Sequence, residues 1–299
     1  MNVKTLALIL LGAVSVHFQA ASGDEVRQPA ARGPKTVLCW GDSITEGMAM
    51  PRGKDYPGRL QALLGPGWKV LNSGDGGEDA VTIPARQGAF PLVTSAPIVF
   101  PEGVKCVKVG DAADNGIRTA AGGRISLTSA LGREIPANPV RIGGRDYTLS
   151  FEGFRWNTPT NRITYTLNLS RAEGGPAETI PAGTPAAFAS AARVPSASCE
   201  IYLMGANGGW NGDVDHLVSL YRAMVARRGD AAAYLVIEPY WLPAKQRDAF
   251  RTAFGPHLVP FAPTVEQCFR KRRDVHLNEE GYELLAKAVF ARGRALGYW

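Results

Sequence analysis

The sequence predicts an α/β fold in which helices cover both faces of a parallel five-stranded sheet and a β-rich segment interrupts the chain. Three observations support this prediction. Short apolar runs recur in the first and last parts of the chain, helical patterns separate them, and the middle is rich in Gly, Pro and Thr. The 299 residues are 45% hydrophobic and 20% charged, which is ordinary for a globular protein with a sizeable core.

Five apolar runs are predicted to be the strands of the parallel sheet, because each is short and followed by Gly, Pro or a polar residue. They are TVLCWGDS (36–43), KVLNSG (69–74), CEIYLMGAN (199–207), AAYLVIEPYW (232–241) and HLVPFAP (257–263).

Segments with helical spacing of apolar residues lie between and after these runs. In residues 213–229 the apolar side chains share one side, and Gly229 is a typical helix end. The other predicted helices are YPGRLQALL (56–64), KQRDAFRTAFG (245–255) and EEGYELLAKAVFARGRALG (279–297).

The middle of the chain, residues 89–195, is predicted to be an inserted β-rich domain. It contains alternating runs such as VKCVKV, GRISLTS, DYTLSFEG and RITYTLNLS, which are typical of short antiparallel strands. A discontinuous domain of residues 34–88 and 196–299 would then surround it.

Residues 1–22 are predicted to be a secretory signal peptide. Lys4 precedes an apolar run from Leu6 to Val16, and small residues follow it. The run is too short to span a bilayer comfortably, and no later stretch reads as a membrane helix. We expect a secreted or periplasmic protein without stable membrane insertion; a retained N-terminal anchor is the alternative.

Charge and cysteine content limit the function classes. The formal net charge of +6 suits an anionic or cell-surface substrate, and the RKRR cluster lacks the interleaved aromatics of a nucleic-acid site, so no nucleic acid is expected. The usual zinc spacings are absent, and we expect no metal or other cofactor. Cys39 and Cys199 lie in strand-like runs and read as buried thiols. The pattern predicts neither the disulfide pairing nor the oligomeric state.

Ser43 directly follows the first predicted strand, where an α/β sheet presents reactive groups. A serine nucleophile needs a histidine base and donors for the oxyanion. His17 leaves with the signal peptide, His216 starts a helix, and His257 starts a strand without a nearby acid. His276, in a loop two residues after Asp274, is therefore the strongest candidate base.

Two Gly-rich segments could supply the oxyanion donors. NSGDGGED (72–79) follows the second strand, and GANGGW (205–210) places Asn207 at the end of the third. Ser43, the NSGDGGED segment and Asn207 would thus lie at three consecutive strand ends on one rim of the sheet. The order of residues excludes a chymotrypsin-like enzyme, and the absence of G-x-S-x-G disfavours a standard α/β-hydrolase.

The segments GDSITEG, NSGDGGE, GANGG and DVHLN..GY, in this order, resemble the blocks of the SGNH (GDSL) hydrolase superfamily. The resemblance covers residues 37–87 and 196–299, and the long insertion resembles a subset of the family. It implies a flavodoxin-like α/β/α sandwich that hydrolyses esters and thioesters without a metal. It implies Ser43 as nucleophile and first oxyanion N–H donor, Gly77 as second N–H donor, Asn207 as side-chain donor and His276 as base.

The sequence departs from the family pattern at the third triad residue. The family places the acid three residues before the histidine, where this chain has Arg273, whereas Asp274 is two before. We expect Asp274 to orient His276; a backbone carbonyl that leaves a Ser–His dyad is the alternative. Glu238, at the end of the fourth strand, is a weaker substitute.

Other residues near the predicted site have less specific patterns. Asp42 reads as a capping acid beside the nucleophile. Arg86 and Gln87 are candidates for lining the substrate pocket, although a loop with solvated side chains also fits them. Trp210 is a third candidate, although a core position also fits it.

Together these features predict an exported serine esterase, with an O-acetylated carbohydrate as the favoured substrate. The first alternative is a lipase, arylesterase or thioesterase acting on acyl chains. The second is a non-catalytic carbohydrate-binding protein on the same scaffold. Covalent labelling of Ser43 would separate the enzyme classes from the binding protein.

Overall fold

The computed structural model describes residues 35–111, 116–125, 134–157, 162–229, 233–268 and 275–299. The predicted signal peptide and Asp274 lie outside the described residues.

In chain order, the regular elements are β1 (Lys35–Gly41), α1 (Ser43–Glu46), α2 (Tyr56–Leu64), β2 (Trp68–Gly74), α3 (Thr82–Gln87), β3 (Leu92–Thr94), β4 (Ile98–Phe100), β5 (Cys106–Asp111), β6 (Ile117–Thr119), β7 (Val140–Ile142), β8 (Arg145–Asn157), β9 (Arg162–Ser170), β10 (Glu178–Ile180), β11 (Pro185–Phe188), β12 (Cys199–Leu203), α4 (Val214–Arg228), β13 (Ala233–Ile237), α5 (Ala244–Phe254), β14 (Leu258–Val259) and α6 (Glu279–Ala295).

The predicted parallel five-stranded sheet is confirmed. Its strands lie in the order β14-β13-β12-β1-β2, and every neighbouring pair is parallel. Numbered along the chain, this is the order 2-1-3-4-5, which is compatible with a flavodoxin-like core. In that order the chain reverses direction across the sheet between β1 and β12, and a crevice forms at the carboxyl ends of these two strands.

The sheet is buried on both faces, which explains why its strands read as nearly continuous apolar runs. Successive side chains of a strand point to opposite faces. Val37 and Cys39 of β1 pack in a cluster with α2 and α6, whereas Leu38 and Trp40 pack in a second cluster with α3, α4 and α5. The result is three layers, helix–sheet–helix, around the parallel sheet.

The free edge of β2 is closed by side chains. The N–H of Val70 donates to Gln61 Oε1 at 2.8 Å, and the N–H of Asn72 donates to Glu134 Oε2 at 2.9 Å. Gln61 Nε2 also donates to the carbonyl of Trp68 at 3.1 Å. Backbone groups that face away from β1 are thereby satisfied within the chain.

The strands between α3 and β12 form antiparallel sheets. One sheet has the order β5-β9-β8-β7-β11-β3-β6, and β4 pairs with β10 separately. Their apolar side chains, including Phe100, Leu149 and Leu167, form a third buried cluster, which Ala85 of α3 joins. The division into an inserted domain of residues 89–195 and a discontinuous surrounding domain stays a prediction.

All four cysteines have free thiols. Cys39 and Cys199 are buried in the sheet, as their strand-like surroundings indicate. Burial raises the pKa of the Cys39 thiol well above its ordinary value, so this thiol is held neutral.

Candidate active site

Ser43 lies at the carboxyl end of β1, in the first turn of α1. Its Oγ is 2.8 Å from Nε2 of His276, and the residue is 4% exposed. The structure thus brings together the predicted nucleophile and the predicted base, 233 residues apart in the chain. Because the strand-to-helix turn is tight, the hydroxyl is presented at the rim of the sheet rather than inside it.

Gly41 makes this turn possible. A β-carbon at position 41 would lie 2.0 Å from Thr45 Oγ1 and 2.3 Å from the carbonyl oxygen of Leu203. Both distances are far below van der Waals contact, so any side chain here would push α1 away from the strands. Gly74 of β2 is equally confined, since its β-carbon would lie 2.1 Å from the backbone nitrogen of Glu46.

His276 is held by contacts of the residues on either side of it. The hydroxyl of Tyr240 donates to the carbonyl of Val275. Leu277 forms a β-bridge with Cys268, and Asn278 caps α6 by accepting from the N–H of Gly281 at 3.0 Å. These contacts hold the backbone on both sides of His276, whose ring reaches Ser43.

The segment after β2 passes directly beside the serine. A β-carbon at Gly76 would lie 3.7 Å from Cβ of Ser43. The next residue, Gly77, has φ of 85°, a conformation that suits glycine. Within the described residues, neither the N–H of Gly77 nor that of Ser43 donates to a protein acceptor. An N–H at the first position of a helix has no partner in its own helix, and so it is available to an anion.

Asn207 joins the segments that follow β2 and β12. Its Nδ2 donates to the carbonyl of Glu78 at 3.0 Å, and the N–H of Ala80 donates to the carbonyl of Gly208 at 3.0 Å. An amide nitrogen carries two hydrogens, so the second hydrogen of Asn207 remains for a ligand. The side chain is exposed at the rim.

Arg86 lies in the core, which corrects its placement on a pocket wall. Its guanidinium is fully buried and pairs with the fully buried carboxylate of Glu78 at 2.7 Å. It also donates to Ser73, to Oγ at 2.9 Å and to the carbonyl at 2.8 Å. Burial raises the pKa of Glu78, and the contact with Arg86 opposes this effect. Arg86 therefore anchors the segment that carries Gly77 to the end of β2.

Gln87 is likewise fully buried rather than pocket-lining. Its Nε2 donates to Glu200 Oε2 at 2.9 Å and to the carbonyl of Met224 at 3.1 Å. Glu200 also accepts from Trp40 Nε1 at 2.9 Å. Both residues lie on the short helix α3, where their side chains point inward and are buried.

Trp210 is half-buried and donates from Nε1 to the carbonyl of Gly205 at 2.8 Å. It supports the turn that presents Asn207, and a role in substrate binding stays a prediction.

Glu238, the substitute acid, is 2% exposed and pairs with Arg251 at 2.9 Å. The predicted third triad residue, Asp274, is outside the described residues, and its role stays a prediction.

The two remaining histidines have other environments. His257 Nδ1 is 2.8 Å from the hydroxyl of Tyr298, and its ring stacks on Tyr234 with centroids 4.2 Å apart. His216 lies in the first turn of α4, and its side chain lines an apolar cavity of about 380 Å³.

Asp42 has a second contact that its position in the sequence did not indicate. It caps α1 as expected, since Oδ1 accepts from the N–H of Ile44 at 3.1 Å. Its Oδ2 also accepts from the N–H of Ala206 at 3.3 Å.

No local sequence pattern indicates the contacts of Glu78 and Tyr240 near the site, because their partners lie in other segments or are backbone atoms.

Within the described residues, no group of three His, Cys, Asp or Glu side chains could hold a metal ion. No helix in the described ranges has both the length and the apolar character required to cross a membrane.

Comparisons with known proteins give distant structural likenesses. No family model matches the chain, and no curated protein matches it. One crystal structure is similar over 89% of this chain and 100% of its own, with 14% identity and a TM-score of 0.42. A second, described as "Peptidoglycan O-acetylesterase in action, 5 min", covers 88% of this chain and 91% of its own, with 12% identity and a TM-score of 0.35. A weak structural neighbour of this chain is thus a peptidoglycan O-acetylesterase, and at TM-scores this low the likeness carries no conclusion about function.

Proposed function

We propose that this protein is a serine esterase with Ser43 as nucleophile and His276 as general base. The observation that carries the proposal is the 2.8 Å contact between Ser43 Oγ and His276 Nε2 at the carboxyl ends of the parallel strands. A hydroxyl paired with an imidazole at this distance is the arrangement required for nucleophilic catalysis.

In the proposed reaction, Ser43 Oγ attacks the ester carbonyl while His276 Nε2 takes the hydroxyl proton. The N–H groups of Ser43 and Gly77 and the amide of Asn207 stabilise the oxyanion of the tetrahedral intermediate. His276 then gives its proton to the leaving alcohol, and an acyl group remains on Ser43. A water, deprotonated by the same imidazole, releases the carboxylic acid and restores the serine.

We propose an O-acetylated carbohydrate as substrate. The predicted export, the positive net charge and the sequence resemblance support this choice. The secreted or periplasmic location is part of the same proposal, as is the role of Asp274 in orienting His276. In this scheme Asp274→Asn lowers kcat strongly because it removes the negative charge that holds the imidazole in the required tautomer; a wild-type kcat would instead favour the Ser–His dyad.

The first experiment is covalent labelling with a fluorophosphonate, followed by identification of the labelled peptide. We expect one label on Ser43 in the wild type and none in Ser43→Ala or His276→Ala. His216→Ala is the control, since this histidine lies in the first turn of α4 and is not part of the proposed site. Absence of labelling in folded wild-type protein would contradict the enzyme and favour the carbohydrate-binding alternative.

The second experiment identifies the substrate class. Acetate release is measured on a panel of acetylated glycans, beside p-nitrophenyl esters of increasing chain length. We expect acetyl esters to be hydrolysed fastest and activity to fall as the chain lengthens. The opposite order would favour the lipase or thioesterase alternative.

A further inference from the structure

Asp42 lies next to the nucleophile and contacts two of the segments that form the proposed site. The carboxylate is fully buried. One oxygen accepts from the N–H of Ile44, in the helix that begins at Ser43, and the other accepts from the N–H of Ala206, the residue before Asn207. One side chain therefore spans the gap between the nucleophile turn and the segment that presents the oxyanion amide.

We propose that Asp42 is a positioning residue that sets the distance between Ser43 and Asn207. This inference rests on the proposed function. A buried carboxylate is costly unless its oxygens accept hydrogen bonds, and a helix cap alone needs only one of them. Serine or asparagine would cap α1 equally well, whereas an aspartate supplies the second acceptor that reaches Ala206.

The ionisation of Asp42 makes this link dependent on pH. The pKa of Asp42 is raised to about 7, chiefly by burial and to a smaller extent by the carboxylate of Glu46, while backbone N–H donors, among them those of Ile44 and Ala206, oppose the rise. Tyr221 of α4 also faces Asp42, and its hydroxyl is engaged with the backbone of Met204. Below about pH 7 the protonated acid accepts less strongly, and we expect the segment at Ala206 to loosen.

The raised pKa also fixes the sign of the effect on stability. A carboxyl group whose pKa is higher in the folded state destabilises the fold as pH rises above its unfolded value. Replacing Asp42 by a neutral side chain should therefore not lower the melting temperature at pH 8. Loss of activity without loss of stability distinguishes positioning from a purely structural role.

The test compares Asp42→Asn and Asp42→Ser with wild type. Both replacement side chains can still cap α1, and both lack the second oxygen that accepts from the N–H of Ala206. We expect kcat to fall about 10- to 100-fold with little change in KM, which is less than direct removal of an oxyanion donor costs. We also expect the acid limb of the pH dependence of kcat/KM to become shallower, because the variants lack the ionisation of Asp42. Asp55→Asn is the matched control, because Asp55 is a buried cap of α2 with a raised pKa but does not contact Ala206.

A measurement on the wild-type protein covers the case in which a variant fails to fold. The amide proton of Ala206 should titrate by NMR with the midpoint of Asp42, and it should do so in His276→Ala too. A wild-type kcat in Asp42→Ser, or an Ala206 amide that does not titrate, would overturn the proposal. If the wild type neither hydrolyses esters nor labels at Ser43, the proposed function fails, whereas the amide titration still decides whether Asp42 is linked to Ala206.

Discussion

Replacement of Arg86 by methionine tests whether the segment that carries Gly77 is anchored by a buried ion pair. The side chains of Arg86 and Glu78 are both fully buried. The substitution keeps most of the apolar volume of Arg86 and removes the charged partner of Glu78. Arginine remains charged at all accessible pH values, so it favours an ionised Glu78 in the wild type. In the variant, Glu78 must either bury an uncompensated charge or take up a proton.

The cost of this change can be worked out from the pKa of Glu78. Its ordinary value is 4.5; burial raises it and the charge of Arg86 opposes this rise, so removal of Arg86 raises the pKa further. Above pH 4.5 the unfolded chain releases the proton of Glu78, whereas the folded variant keeps it. The free energy of unfolding of the variant therefore falls as pH rises above 4.5. Protonating such a group at pH 7.5 costs about 1.4 kcal/mol for each of roughly three pH units, or about 4 kcal/mol. This agrees with the range of about 3–5 kcal/mol for breaking a buried pair.

The assay is guanidinium denaturation followed by circular dichroism at pH 5 and pH 7.5. We expect Arg86→Met to lower the free energy of unfolding by about 4 kcal/mol at pH 7.5 and by much less at pH 5. The double variant Glu78→Gln, Arg86→Met should lose this pH dependence, because nothing is left to protonate. Arg141→Met, which breaks the exposed pair with Asp146, is the control and should leave stability unchanged. A loss below about 1 kcal/mol, or an equal loss at both pH values, would refute the reasoning.

Two further predictions concern the backbone of the site. Gly41→Ala should prevent folding or lower the melting temperature strongly, since its β-carbon would lie 2.0 Å from Thr45 Oγ1, whereas Gly67→Ala, with no atom within 4 Å, should melt as the wild type does. A Gly41→Ala protein with wild-type melting would contradict the tight turn. Tyr240→Phe removes the hydrogen bond to the carbonyl before His276 and should lower kcat about tenfold with KM unchanged, as steady-state kinetics on an acetyl ester can show. An unchanged kcat would mean that the ring is held by its other neighbours.

The parallel sheet could be predicted from sequence because its strands are buried on both faces. Residues such as Val37 and Cys39 are then as apolar as Leu38 and Trp40, and the strand appears as an uninterrupted run. The contact between Ser43 and His276 could be anticipated because few histidines compete for the role and because chain order limits which strand ends can meet. Boundaries were less certain, since the predicted run 257–263 contains only the two-residue strand Leu258–Val259.

The environments of Arg86 and Gln87 could not be predicted in the same way. Charged and polar side chains beside a proline and a glycine are usually exposed, and the residues that bury these two lie elsewhere in the chain. Glu78 is 8 positions away from Arg86, and Glu200 is 113 positions away from Gln87. Such burial depends on tertiary contacts, which composition and periodicity do not record.

The side chains along the edge of β2 also bear on how this protein can associate. An unpaired edge strand is a template on which another chain can add a strand. A second molecule could extend this sheet at β2 only by displacing Gln61 from Val70 and Glu134 from Asn72. The molecule is therefore protected at this edge against strand addition and the aggregation that follows from it, and a Gln61→Ala, Glu134→Ala variant would reopen that route.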